Sequence, residues 1–261
     1  MAERFDRQHS QVGVVVSDLH LFARRSCAEA RLQSLRGRLE KAKAIVLNGD
    51  TFDFRWSTRG DFDSSRAAAA RWLRDWASKY PGSEIHYILG NHDCLEAFTE
   101  DLDRLSRTLP AFHWYRHCLR LGSSIFLHGD CAQRLMDGKD LELYRETWRN
   151  DRQRGSVAAA GYRCIDVLGI TRLAHAWHFP TQRTIRRVVH FLGQIEPGWT
   201  NGISDCYFGH THRPFSNIPF RGVRFHNTGS AIRDMRFHPI SFALAEDQRI
   251  ISTGALGRSS W

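Results

Sequence analysis

The chain has 261 residues, 42% of them hydrophobic and 25% charged, which is enough to bury one large core and predicts a single domain over residues 1–261. Val14-Val15-Val16 runs straight into Ser17 and Asp18, which excludes a signal-peptide core or a membrane span there and makes a cytoplasmic location the expectation. Net charge is +9, and 33 of the 37 basic residues are arginine, whose planar fork suits phosphate, so an anionic substrate or an anionic membrane surface fits the balance.

Taken in chain order, the first strand signal is Val12–Ser17, ending in Ser17-Asp18-Leu19-His20. Leu32, Leu35 and Leu39 at helical spacing predict a helix over Arg24–Glu40, and the strand Ala44–Leu47 then stops at Asn48-Gly49-Asp50. Asp63–Tyr80 reads as a helix capped by Asp63-Ser64-Ser65 and closed by Pro81-Gly82. A strand over Ile85–Leu89 delivers Gly90-Asn91-His92-Asp93, and Cys94–Arg107 is helical in pattern. Strands at Ser124–Leu127 and Cys206–Phe208 deliver His128-Gly129-Asp130 and Gly209-His210-Thr211-His212. Residues 131–209 between them are too long for an ordinary connection. They predict an inserted, mainly helical cap, with helices over Lys139–Arg154, Ser156–Trp177 and Pro180–Ile195. Gly222–His226, Ile240–Ala245 and Arg249–Thr253 read as strands of a second, more antiparallel sheet region.

Five strands thus end in metal-capable side chains, which is where open α/β sheets place ligand sites. On an extended backbone Asp18 and His20 point the same way, toward one ion. The Asp50 carboxylate, after a turn-permitting Gly49, can bridge two cations. Asn91 supplies a carbonyl oxygen, His92 an imidazole that titrates near neutrality, and Asp93 a carboxylate able to orient that imidazole. His128, His210 and His212 add three imidazoles. Any one of these is ordinarily a cap, a turn residue or a core histidine; their joint order at strand ends points to a metal site. The six cysteines form no C-x-x-C pair, which argues against a zinc knuckle or a redox pair.

Ser-Asp-Leu-His, Gly-Asp-Thr-Phe-Asp, Gly-Asn-His-Asp, His-Gly-Asp and Gly-His-Thr-His, spanning Asp18 to His212, resemble the five signature blocks of the calcineurin-like metallophosphoesterases. The resemblance implies an α/β fold of two facing mixed β-sheets flanked by helices. It implies one metal on Asp18, His20 and His212, a second on Asn91, His128 and His210, and Asp50 bridging them. Two divalent ions are implied, Mn²⁺ foremost with Fe or Zn²⁺ as alternatives, together with a metal-activated water that cleaves a phosphodiester or diphosphate bond. His92 is the candidate acid, with Asp93 beside it. Arg55 is a candidate substrate contact beside a base or sugar, Arg233 a candidate phosphate contact, and Asp53 a candidate orienter of a ligand.

Ser-Asp-Leu-His-Leu, Gly-Asp-Thr-Phe-Asp-Phe and Gly-His-Thr-His-Arg-Pro are similar to the UDP-2,3-diacylglucosamine pyrophosphohydrolase-like branch. This implies a small anionic substrate of nucleotide-sugar-lipid type, amphiphilic in that branch, and peripheral membrane contact. Members of the branch that act in lipid A synthesis generally carry Arg where this chain has His92. In the cap, Leu141, Trp148, Trp177 and Phe179 either line an acyl channel or form the cap's own core. The alternatives are a nuclease or cyclic-nucleotide phosphodiesterase, which the basic balance suits, and a non-catalytic scaffold of the same fold.

Overall fold

The computed structural model describes residues 11–150 and 179–244. The helix expected over Ser156–Trp177, the end of Lys139–Arg154 and the strand Arg249–Thr253 lie outside the described residues.

Strands β1 (Gln11–Val16) and β2 (Ala44–Asn48) carry near-continuous apolar runs and β3 (Glu84–Ile88) is buried from Ile85 to Ile88, the pattern of parallel strands covered on both faces. They pair in parallel with β4 (Phe112–Tyr115), Val15 opposite Val46, Val46 opposite His86 and His86 opposite His113. The first sheet runs β10-β1-β2-β3-β4, with β10 (Ile240–Leu244) antiparallel at its edge. The second runs β5-β6-β7-β9-β8, where β5 is Cys118–Leu121, β6 Ser124–Leu127, β7 Asp205–Phe208, β8 Phe215–Phe220 and β9 Val223–Asn227. Its inner strands β6, β7 and β9 are parallel and its edges antiparallel.

Two mixed sheets with flanking helices therefore make three apolar layers. Val14, Val16, Ile45, Leu47 and Tyr87 pack under α1 (Ala28–Ser34), α2 (Arg36–Leu39), α3 (Phe62–Lys79) and α4 (Glu96–Thr108). Ile125, Leu127, Cys206, Phe208 and Phe225 pack under α5 (Gly138–Arg149) and α6 (Thr181–Ile195). Between the sheets lie Val15, Val46, Ile88, Phe126, Tyr207 and Phe242.

Three expectations are corrected. Arg24–Glu40 is not one helix: Leu21–Ser26 is spent on isolated bridges to Phe52, Ser57 and Ile232, and the rest breaks at Leu35. The cap of α3 is Asp61, whose side chain accepts from the Ser64 N–H at 2.8 Å, rather than Asp63. Strand Ile240–Leu244 returns to the first sheet rather than extending the second. The pattern also passed over β4, β5 and β8.

Candidate metal centre

The donors stand where β1, β2 and β3 of the first sheet and β6 and β7 of the second end, so the centre straddles both sheets. The local backbone is not extended. Asp18, His20, Asp50, His210 and His212 have φ of 51°, 46°, 49°, 62° and 54°, left-handed conformations that cost a non-glycine residue about 1–3 kcal/mol each. Asp18 and His20 converge because their backbones curl, not because a strand alternates. Neighbouring loops hold the curl: Asp18 N–H donates to Gly49 O at 3.1 Å, His20 N–H to Asp50 O at 2.9 Å, and Ala231 N–H to Asp18 O at 3.0 Å.

Two groups of donors result. One ligand atom from each of Asp18, His20 and His212 lies within 4.8 Å of the others, and the same holds for Asp50, His128 and His210. His212 Nε2 is 3.2 Å from Asp18 Oδ1 and 3.3 Å from His20 Nε2. His128 Nε2 is 3.3 Å from Asp50 Oδ2 and 3.3 Å from Asn91 Oδ1. Asp50 Oδ2 is also 3.7 Å from His20 Nε2, so it faces both groups. Asp50 Oδ1 accepts the His92 N–H at 2.8 Å. Asp18 accepts the His210 N–H at 3.0 Å and the Ser17 hydroxyl, and Ser17 Oγ is 2.5 Å from Thr228 Oγ1.

These residues fit divalent cations. His20 Nδ1 lies 3.2 Å from Asp53 Oδ2 and His128 Nδ1 3.3 Å from Asn48 O; partners of that kind take the Nδ1 proton and leave Nε2 to a metal. His210 Nε2 is buried without a hydrogen-bond partner. A Cβ on Gly90 would fall 2.2 Å from Asp50 Oδ1, and one on Gly209 2.2 Å from Asp18 Oδ2, so both carboxylates are seated against bare backbone. The mixed nitrogen and oxygen set without thiolate suits first-row divalent ions. A third group, His20, Asp53 and His92, is better read as a carboxylate orienting two imidazoles, because its donor atoms on His20 and Asp53 already face each other.

Electrostatics follow from the crowding. Burial opposes charge on Asp50, yet His128, His92 and His20 hold its carboxyl well below the usual range. Burial likewise opposes charge on His128, and Asp50, Asp130 and Asp18 overcome it, raising the imidazole to about 10. Burial and His128 together push His210 down to about 3.

His92 sits apart, its Nδ1 3.2 Å from Asp53 Oδ2 and its ring edge-on to His20 at 4.6 Å. Burial lowers its pKa, but the Asp53 and Asp50 carboxylates raise it to about 9. Asp93 does not orient His92, as its place beside His92 in the sequence had suggested. Its carboxylate accepts from Gly90 N–H at 2.7 Å, Thr51 N–H at 2.8 Å and the Tyr87 hydroxyl at 2.6 Å, tying the loops that follow β2 and β3 together. Arg55, part-buried, lies over the ring of Trp148. Arg233 is exposed, with its backbone N–H on Arg25 O at 2.8 Å.

Sequence reasoning missed the pair of Arg145, on α5, and Asp130, just after His128. Arg145 Nε donates to Asp130 Oδ2 at 2.8 Å and Nη2 to Leu89 O at 2.9 Å, with both side chains buried. The one available signal was an arginine four residues after Leu141 on the apolar side of a helix.

The family model for calcineurin-like phosphoesterases matches residues 14–214. Among solved structures, the chain is similar to a phosphopantetheinyl hydrolase from Mycobacterium tuberculosis, at 11% identity and TM-score 0.41, over 85% of this chain and 90% of that one. It is also similar to a dimetal phosphatase from Danio rerio, at 12% identity and TM-score 0.44, over 91% of this chain and 94% of that one. No curated protein matches.

Proposed function

The chain belongs to the calcineurin-like phosphoesterase family and is a metal-dependent phosphoesterase, and from that premise we propose how its own residues divide the work. Asp18, His20 and His212 hold one divalent cation, Asn91, His128 and His210 hold a second, and Asp50 is shared. The observation that carries this reading is the position of Asp50 Oδ2, 3.3 Å from His128 Nε2 and 3.7 Å from His20 Nε2. The cations are Mn²⁺, with Fe or Zn²⁺ as the alternatives that the donor set also accommodates. What such ions supply when bound is Lewis-acid polarisation of phosphoryl oxygens and a water activated near neutral pH.

The chain's part is to orient and to move a proton. Asp53 faces Nδ1 of both His20 and His92, which leaves His92 Nε2 to give a proton to the leaving oxygen. Asp93 acts on the loops, not on the proton. The insert between β6 and β7 selects the substrate, with Arg55 as a substrate contact and Arg233 as a phosphate contact. The substrate class is a diphosphate of nucleotide-sugar-lipid type, cleaved by a cytoplasmic protein peripheral to the membrane; the support is the arrangement of the Ser17–Leu21, Gly49–Phe54 and Gly209–Pro214 segments and the arginine surplus.

The test is Asp50→Asn assayed with Mn²⁺. Both retained metal and hydrolysis of a nitrophenyl phosphodiester should fall, turnover by roughly 100-fold or more, beyond the 10–100-fold typical of outer-shell partners. Unchanged metal and turnover would overturn the enzymatic assignment of these residues. A panel of nucleotide-sugar diphosphates, single-stranded DNA and cyclic nucleotides addresses the substrate. Turnover of the last two alone would replace the proposed substrate class by a nuclease or cyclic-nucleotide phosphodiesterase.

A further inference from the structure

Helix α5 places the ring of Trp148 against the site. The Trp148 ring centroid lies 4.5 Å from that of His92 at an interplanar angle of 46°, and the Arg55 guanidinium carbon lies 4.8 Å from the centroid of the same ring. The helix is anchored on both sides of that contact. Arg145 donates to Leu89 O and Asp130. Arg149 Nε donates to Cys94 O at 2.9 Å while its Nη2 pairs with Glu142 at 2.7 Å. Leu89 precedes and Cys94 follows the Gly90–Asp93 turn, so α5 grips both ends of the loop that carries His92.

The remaining contacts of His92 leave its ring plane underdetermined. Asp53, 3.2 Å from Nδ1, restrains the ring at one atom and leaves its rotation about that contact to be fixed by other neighbours. His20 meets the ring in an edge-to-face arrangement, its centroid 4.6 Å away at an interplanar angle of 82°. A tryptophan ring packed 4.5 Å from the imidazole centroid limits the rotation of the imidazole.

We propose that Trp148 is a positioning residue that fixes the plane of His92 so that Nε2 meets the leaving oxygen. The proposal rests on the reading of His92 as general acid, and it gives α5 a direct part in turnover. A misplacement of about 1 Å in a reacting group can cost on the order of 100-fold in rate.

The test is a double-mutant cycle on the full chain with Mn²⁺, using two phosphodiester probes with a good (nitrophenyl) and a poor (phenyl) leaving group. Trp148→Ala should lower kcat for the phenyl ester by roughly 10–100-fold with KM little changed, and affect the nitrophenyl ester far less, because a good leaving group needs little acid. Trp148→Phe should recover most of the loss, and Trp148→Ala should add nothing in a His92→Ala background. Trp148→Leu, which keeps apolar volume without a ring face, repeats the measurement should the alanine variant fold poorly. Equal losses on both esters, or additive losses in the double variant, would overturn the positioning role. If His92→Ala itself leaves the phenyl ester unaffected, the acid reading fails along with it; if His92→Ala is slow and Trp148→Ala is not, only the positioning role fails.

Discussion

His86 lies two residues into β3, toward the end of the strand that starts away from the metal donors. Its side chain is fully buried, Nδ1 is 3.2 Å from the Tyr115 hydroxyl, and the other ionisable neighbours are Glu84 and His113. Burial, aided by His113, pushes its pKa down to about 3, whereas in an unfolded chain it titrates near 6.5. Between those values the unfolded chain binds a proton that the folded chain refuses. Its contribution to stability is therefore complete above pH ~6.5 and is lost as pH falls toward ~3, at up to about 1.4 kcal/mol per pH unit. Urea unfolding from pH ~7 down to ~4 should show a slope for the wild type that His86→Phe reduces by about one proton; identical slopes would mean that His86 is charged inside.

At the scale of elements, α5 is held by a buried ion pair rather than by apolar packing alone. Removing one partner of such a pair leaves the other charge stranded, at about 3–5 kcal/mol. Arg145→Ala should therefore lose about that much stability in urea unfolding; a loss below about 1 kcal/mol would show that water reaches Asp130 once the guanidinium is gone. This helix also marks where reading the sequence stopped. Strands β1, β2 and β3 were legible because their buried stretches are mostly apolar and each runs into a polar motif. The Phe215–Phe220 edge strand carries Asn217 and Pro219, and Phe112–Tyr115 and Cys118–Leu121 are only four residues each, so their signals stayed below that of a loop. The donors were legible because each motif closes a strand. That Asp53 rather than Asp93 faces His92 was not, since it depends on how two loops lie side by side, and no spacing within one segment encodes that. Arg145 was hidden for the same reason: its partners are fifteen or more residues away along the chain.

For the whole molecule, the decisive feature is that the donors come from both sheets. Ions bound there stabilise the folded chain by mass action, about 2.7 kcal/mol when free metal is 100-fold above its dissociation constant. Melting with Mn²⁺ and then with excess chelator should show a lower midpoint in chelator, a difference that Asp50→Asn abolishes. Equal midpoints for the wild type would mean that no ion joins the sheets. Among the described residues no helix is long and apolar enough to cross a membrane.

Five of the seven donors sit in left-handed backbone, a conformation that glycine adopts at no steric cost. The substitutions that would relax the apo fold most are thus the same ones that delete the donors. A lineage selected only for heat tolerance would shed its chemistry at these turns while its sheets endured, so sturdiness and activity are set against each other residue by residue.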